Sequence, residues 1–389
     1  MYSTKPLSVF KSNQEASSWP PPPLGQNSGY LVVQGAGEDE NDDETCCWRW
    51  GQCGESRVRD LPFPQNRVLT VQYSQSQSTG KSTSYHGKRT SRSTAYHSES
   101  TSYTEEVVFV PVPDQPLSSN RYYAVIASGK HKGLVRACSR EEDMSACCFC
   151  RCIKDVKPRP FDPTDIYQQM EVVRRRRGQF TAKAVAPDGF PSYLYRQKYW
   201  TVQATKPKSF ALALGDAPGL NAAQRSRVLD SASPITPTTV GRWYCPFYLV
   251  KEDGVSPSAQ MDRAAFYEVV LEQRWEPVHD GTKLSSKTAL IGGNLEARLD
   301  VPSRSRQSDG YVWVRAAAGQ RVGVCASVWE KMLWEEYRGG WVDEEEEAGK
   351  VTMAGELVLA ERFVVKRTDG SAAVAFDFVH LNKVRGKQV

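Results

Sequence analysis

Histidine is scarce in this chain. There are five in 389 residues, and His86 and His97 both fall inside a Ser/Thr-rich stretch. So few imidazoles leave a hydrolytic triad with almost no candidate base. Long apolar runs are missing too: nothing approaches the roughly 20 residues a membrane-spanning helix needs. The first residues, MYSTKPLSVFKSNQEASSWPPPP, lack the apolar h-region of a secretory signal. A cytoplasmic setting is therefore expected, with nuclear or peripheral-membrane placement as alternatives. Thiols stay reduced in that compartment, so the ten cysteines read as free, metal-bound or acylated, not as a disulfide framework. Phosphate-cradling loops are absent as well: GAGEDE has no Walker lysine, and no G-x-G-x-x-G opens a helix. The longer GAGEDENDDE lacks the alternating carboxylates of a calcium loop and reads as a solvated tip. Neither sign of charge dominates. Fifty Lys and Arg face 45 Asp and Glu, a net +5, too mild for a dedicated nucleic-acid binder.

Aromatic residues, by contrast, are plentiful, with 10 Trp, 17 Tyr and 13 Phe. Together with many β-branched residues they favour strands, and a mainly β protein is expected: two packed strand-rich halves, sandwich- or barrel-like, with a few short helices. Residues 1–29 form an extended, Pro-rich segment. Residues 30–230 form the first half, carrying a Ser/Thr-rich insertion at 74–104 and a cysteine cluster at 138–152. SASPITPTT (231–239) marks the boundary, and 240–389 form the second half. The insertion is too polar to order by burial and is a plausible phosphorylation target. Phe266–Glu276 shows the clearest strand pattern: Tyr267, Val269, Leu271 and Trp275 alternate with Glu268, Glu272, Arg274 and Glu276. Asp162-Pro163-Thr164-Asp165 is expected to open a helix running to Met170, with Asp162 as its N-cap. Leu220–Leu229 and Val328–Tyr337 carry helical spacing. Thr-Asp-Gly between Glu356–Arg367 and Ala372–His380 signals a hairpin.

The chemistry-bearing residues concentrate between Cys138 and Pro191. Cys147, Cys150 and Cys152 form C-x2-C-x-C, with Cys148 adjacent. A second group, Cys46, Cys47 and Cys53, lies in CCWRWGQC. A tetrahedral zinc site takes four soft or imidazole ligands, commonly from two knuckles, and these groups are candidates for that role. The C-x5-C spacing of the second group departs from a paired knuckle, and simply packed thiols are the plain alternative. The same vicinal cysteines, followed by Lys154, Lys157 and Arg159, also suit S-acylation beside an anionic membrane. His131, in GKHKG, is a candidate base for a cysteine nucleophile; nothing in the sequence brings a given cysteine to it. Arg174, Arg175, Arg176 and Arg177 form a candidate phosphate-binding or nuclear-import patch, against the plainer reading of a solvated turn.

Several strings resemble a known family. PLSSNRYY, GKHKG, EEDMSACCFCRCIKDVKPRP, DIYQQ, APDGFP, GRWYCPF and LEQRWE are similar to the plant family designated domain of unknown function 1262. Some of its members are labelled insecticidal-crystal-toxin-domain proteins. The resemblance runs from MYSTKPLS to ERFVVKRTDGS, and implies a plant setting with a stress or defence association but no reaction. Without a coherent catalytic constellation, the sequence favours a non-catalytic binding protein whose partner is another protein, a small molecule or a lipid. An S-acylated peripheral protein is one alternative. A hydrolase or transferase using Cys147–Cys152 with His131 is another.

Overall fold

A computed structural model describes residues 1–13, 27–34, 56–76, 100–147, 150–162, 164–204, 214–230, 236–278, 287–290, 296–297, 310–315, 321–342 and 356–386. The protein is mainly β, with several sheets and few short helices. A nine-stranded sheet contains β1 (Tyr2–Pro6), β2 (Gly29–Val33), β12 (Gly219–Leu220), β13 (Thr238–Pro246), β15 (Phe266–Pro277), β16 (Lys287–Leu290), β17 (Glu296–Ala297), β20 (Glu356–Lys366) and β21 (Ala372–Gly386). Its order is β17-β16-β21-β20-β15-β13-β1-β2, with β12 also on β13. A seven-stranded sheet contains β3 (Ser56–Val58), β4 (Leu69–Ser76), β5 (Ser100–Pro111), β6 (Arg121–Ile126), β9 (Gln169–Arg174), β10 (Phe180–Ala184) and β11 (Thr201–Ala204), in the order β10-β9-β6-β5-β4-β11-β3. β14 (Val250–Glu252), β18 (Tyr311–Arg315) and β19 (Arg321–Cys325) form a third sheet, and β7 (Met144–Cys147) and β8 (Cys150–Ile153) a small ribbon. The helices are α1 (Leu7–Ser12), α2 (Tyr193–Arg196), α3 (Ala222–Asp230), α4 (Pro257–Arg263) and α5 (Ala326–Arg338).

Side-chain alternation explains how the layers meet. On β5, Val108 and Val110 enter the large core shared with the nine- and three-stranded sheets, while Val107 and Phe109 enter a second core. β6 divides in the same way, Tyr123 and Val125 to the first core and Tyr122 and Ala124 to the second. Both faces are covered, so these strands read as continuous apolar runs without alternation. The second core is built around Phe63, whose ring centroid lies 4.9 Å from those of both Phe109 and Phe180, with Trp200 alongside.

The observed elements differ from expectation in particular places. β1 and β2, from the segment assigned to the N-terminus and first half, join the sheet made mainly by later strands. Tyr2 sits opposite Tyr244, and its hydroxyl donates to the Pro111 carbonyl at 2.8 Å. The strands flanking the Ser/Thr-rich stretch extend into it, pairing Ser74 with Ser102 and Ser76 with Ser100; residues 77–99 lie outside the described residues. The expected helix to Met170 is a single 3-10 turn, Ile166–Gln168, capped by Asp165 and followed directly by β9. Asp162 instead accepts from the Thr164 amide at 2.9 Å, a local turn that competes with helix. Tyr267, Val269 and Leu271 are fully buried and Glu268, Glu272 and Glu276 half-buried, as the alternation predicts. Arg274, on the same face as the glutamates, is instead buried, its Nε donating to Glu276 Oε1 at 2.7 Å.

Candidate functional site

Two loci concentrate functional groups: a basic groove at the edge of the seven-stranded sheet, and a buried acid–histidine cluster under α5. The groove lies between α1 and the edge strand β3. Leu7 and Lys11 come from α1, Arg57 and Val58 from β3, and Arg59 to Pro62 from the connector beyond it, around a cavity of about 250 Å³. An edge strand presents unpaired backbone and outward side chains, which is how Arg57 becomes available.

The tetra-arginine run lands beside this groove. Arg174 ends β9 and Arg175–Arg177 lie in the tight turn to β10, where the Arg175 amide donates to the Gln179 carbonyl at 2.6 Å. Two successive residues take left-handed backbone, Arg177 at φ 59° and Gly178 at φ 63°. Glycine suits the second on a further ground. A Cβ at Gly178 would stand 3.0 Å from Arg59 Cγ and 3.1 Å from its Cα. Arg57 donates to the Gly178 carbonyl at 3.5 Å, and Arg174 pairs with Asp60 at 2.6 Å. All four arginines of the run are exposed. Lys11, Arg57, Arg59 and Asp60 line the groove, and the contacts of Arg174 and Gly178 set the arginine turn beside it. Asp60 cancels one of these positive charges, and the exposed Arg174–Asp60 pair itself contributes only about 0–1 kcal/mol. Lys11, Arg57 and Arg59 were not singled out from sequence; β3 is only three residues long, too short to show periodicity.

The second locus is buried. Glu361 on β20 lies opposite Gln273 on β15, and His380 on β21 lies opposite Leu359. The inward face of β20 runs Leu359, Glu361, Phe363, and that of β21 runs Phe376, Phe378, His380. Two polar residues thus occupy core positions in otherwise apolar strand patterns, a signal readable from periodicity once the inward face is known. α5 packs over this face through Trp329, stacked 5.9 Å from Phe378, and delivers Glu336. His380 Nε2 stands 3.1 Å from Glu336 Oε2 and 3.3 Å from Glu361 Oε2. Glu336, Glu361 and His380 are each 0% exposed.

From the side, α3 adds Arg225, whose Nε donates to Glu361 Oε1 at 2.8 Å and whose Nη2 donates to the other oxygen. Arg225 Nη1 also donates to the Glu335 carbonyl at 3.0 Å. Gly339 admits that guanidinium: a Cβ there would lie 2.0 Å from Arg225 Nη2. Burial opposes ionisation of Glu361, but hydrogen bonds from His380 and Arg225 outweigh it and hold the carboxyl down at about 2. Glu336 moves the other way: burial, reinforced by the Glu361 charge, pushes it well above the carboxylate range. Burial also lowers His380, partly offset by Glu361. Sequence reading missed this cluster because no two members lie within a short motif; residues 225, 336, 361 and 380 meet only through sheet pairing and helix docking.

The sequence-nominated thiols fall elsewhere. Cys147 and Cys150 are opposite each other in the β7–β8 ribbon, and Cys152 on β8 is exposed. Cys46, Cys47, Cys53 and Cys148 lie outside the described residues, as does the acidic loop before them. Cys138 is not on the ribbon but in the second core, where burial, with Asp165 nearby, pushes its thiol up to about 12. His131 sits half-buried in the 3-10 turn Gly129–His131.

Fold and loci together define a class: a multi-sheet, mainly β protein with a cation-lined groove and a buried carboxylate–imidazole cluster. More particularly, residues 24–149 match the model of the family described as protein of unknown function DUF1262, as the sequence resemblance led us to expect. No curated protein matches the chain. Among solved structures, the crystal structure of Cry35Ab1 superposes with a TM-score of 0.41 at 9% identity, covering 83% of this chain and 90% of that one. Among the described residues, no helix is long and apolar enough to cross a membrane.

Proposed function

We propose that this is a non-catalytic binding protein that takes a phosphate-bearing, anionic ligand in the groove between α1, β3 and the Arg174–Arg177 turn. One observation carries this reading: the arginine turn packs against β3 beside a concave surface that already holds Lys11, Arg57 and Arg59. Arginine's planar fork matches phosphate oxygens in pairs, and several cations around a concave wall raise the local anion concentration. Leu7, Val58, Leu61 and Pro62 give the same cavity an apolar side, suited to a ligand that carries its phosphates on a small organic body. A plant stress or defence role rests on the family resemblance alone.

The test is titration of the full chain with inorganic triphosphate, followed by calorimetry at low and high salt. Saturable binding is expected, weakening as salt rises and falling at least tenfold in an Arg57→Ala/Arg59→Ala variant. Co-sedimentation with phosphatidylcholine vesicles, with and without phosphatidylinositol bisphosphate, separates a free ligand from a lipid headgroup. Wild-type chain that shows no saturable binding to either probe overturns the reading.

A further inference from the structure

We infer that Glu336, Glu361 and His380 form a binding site for one divalent transition-metal ion, zinc by ligand type. This inference is independent of the basic groove. The three residues offer two carboxylate oxygens and one imidazole nitrogen, all within 4.8 Å of one another. Carboxylate and imidazole at a buried site suit zinc. The distances fit a coordination shell. In a tetrahedron with ligands about 2.0–2.1 Å from the ion, neighbouring donor atoms stand about 3.3–3.4 Å apart. His380 Nε2 is 3.1 Å from Glu336 Oε2 and 3.3 Å from Glu361 Oε2. One N–H cannot satisfy two carboxylates on either side of it, whereas one lone pair on Nε2 can face an ion that both carboxylates also face.

A second observation points to a cation ligand. Glu336 Oε1 and Gln273 Oε1 are buried with no hydrogen-bond partner, as is His380 Nδ1 on the far side of the ring. All three residues belong to this cluster, Gln273 donating its own amide to Glu361 Oε1 at 3.0 Å. Buried acceptors without donors are rare, because each has lost its water without gaining a partner. Arg225, whose Nη2 lies 3.9 Å from Glu336 Oε1, and Lys383 are the cations that face the two carboxyl groups. Arg225 then has the role of an outer-shell partner, orienting Glu361 as hydrogen bonds commonly orient metal-ligating carboxylates. Three protein ligands leave a fourth position for water or a further acceptor.

Metal analysis of the full chain, after exhaustive dialysis in chelator-free buffer, is expected to find about one zinc per chain. Cobalt substitution is expected to give visible bands of nitrogen and oxygen ligation without thiolate charge transfer, which separates this site from the cysteine ribbon. Glu336→Gln keeps the side-chain shape while removing a ligand charge. It is expected to lose the metal, while Cys147→Ser/Cys150→Ser retains it. The inference is overturned by a folded chain that binds no zinc and whose melting temperature zinc leaves unmoved, or by metal that survives Glu336→Gln.

Discussion

At the scale of single residues, environment separates side chains that the sequence presents as equals. Cys138 and Cys245 are both buried, and burial pushes each thiol up to about 12. Cys152, two positions beyond Cys150 in the same motif-rich stretch, is exposed. Only a thiolate reacts with an alkylating agent at a useful rate. Brief iodoacetamide treatment of the native chain at pH 8, read by peptide mass spectrometry, is expected to label Cys152 and spare Cys138 and Cys245. Equal labelling of the three would show that the second core and the β13 packing are not as described. The arginines behave in a comparable way. Arg174–Arg177 remain solvated at a turn, while Arg225 is 7% exposed and fully engaged with Glu361. RRRR already reads as a solvated turn, but nothing in AAQRSR marks Arg225 as buried, because that depends on what faces it.

At the scale of elements, local chemistry decides more. The hairpin between β20 and β21 was legible from Thr-Asp-Gly. Asp369 accepts from the Ser371 amide at 2.8 Å and from its hydroxyl at 2.6 Å, and Gly370 takes φ 82°. No atom lies within 4 Å of a Cβ placed at Gly370, so substitution there isolates the backbone preference. Gly370→Ala is expected to destabilise by about 1–2 kcal/mol, measured by urea unfolding. Gly386 is equally open but lacks positive φ, and Gly386→Ala is expected to be within about 0.5 kcal/mol of wild type. The outer face of the same strands carries paired charges: Arg362 with Asp377 at 2.5 Å, Lys366 with Glu272 at 3.5 Å. Cross-strand charge pairs of this kind keep register without burial.

At the scale of the whole molecule, long-range contacts join the sheets. Glu252, on β14 of the three-stranded sheet, accepts from Arg367 at 2.8 and 2.9 Å just past β20, and from the Tyr267 hydroxyl on β15 at 2.7 Å. Burial opposes its ionisation, but the bonds from Arg367 and Tyr267 outweigh it, and the carboxyl lies below its ordinary value of 4.5. A carboxyl depressed in the folded state stabilises that state above the unfolded value and loses the contribution as pH falls through the folded value. Stability is therefore expected to drop below about pH 4.5. Glu252→Gln should flatten that drop in denaturant midpoints measured across pH 3 to 7. An unchanged acid slope in the variant would mean the Glu252–Arg367 pair does not join the sheets in solution.

By itself the sequence determined the strand-rich class, the alternating strand β15, the long α5 and the terminal hairpin. Each depends on nearest neighbours along the chain: alternation, helical spacing, turn residues. It also marked Arg174–Arg177 as worth attention, because four like charges in a row are visible without any fold. Only the tertiary structure decided that β1 and β2 join strands more than 200 residues away, and that the arginine turn meets Arg57 and Arg59. It alone brought Arg225, Glu336, Glu361 and His380 to one point. Those meetings depend on which strand faces pack and which helix covers them. The energy that selects them comes from burying whole apolar faces, and such burial leaves no short pattern around the few polar residues carried inward with it.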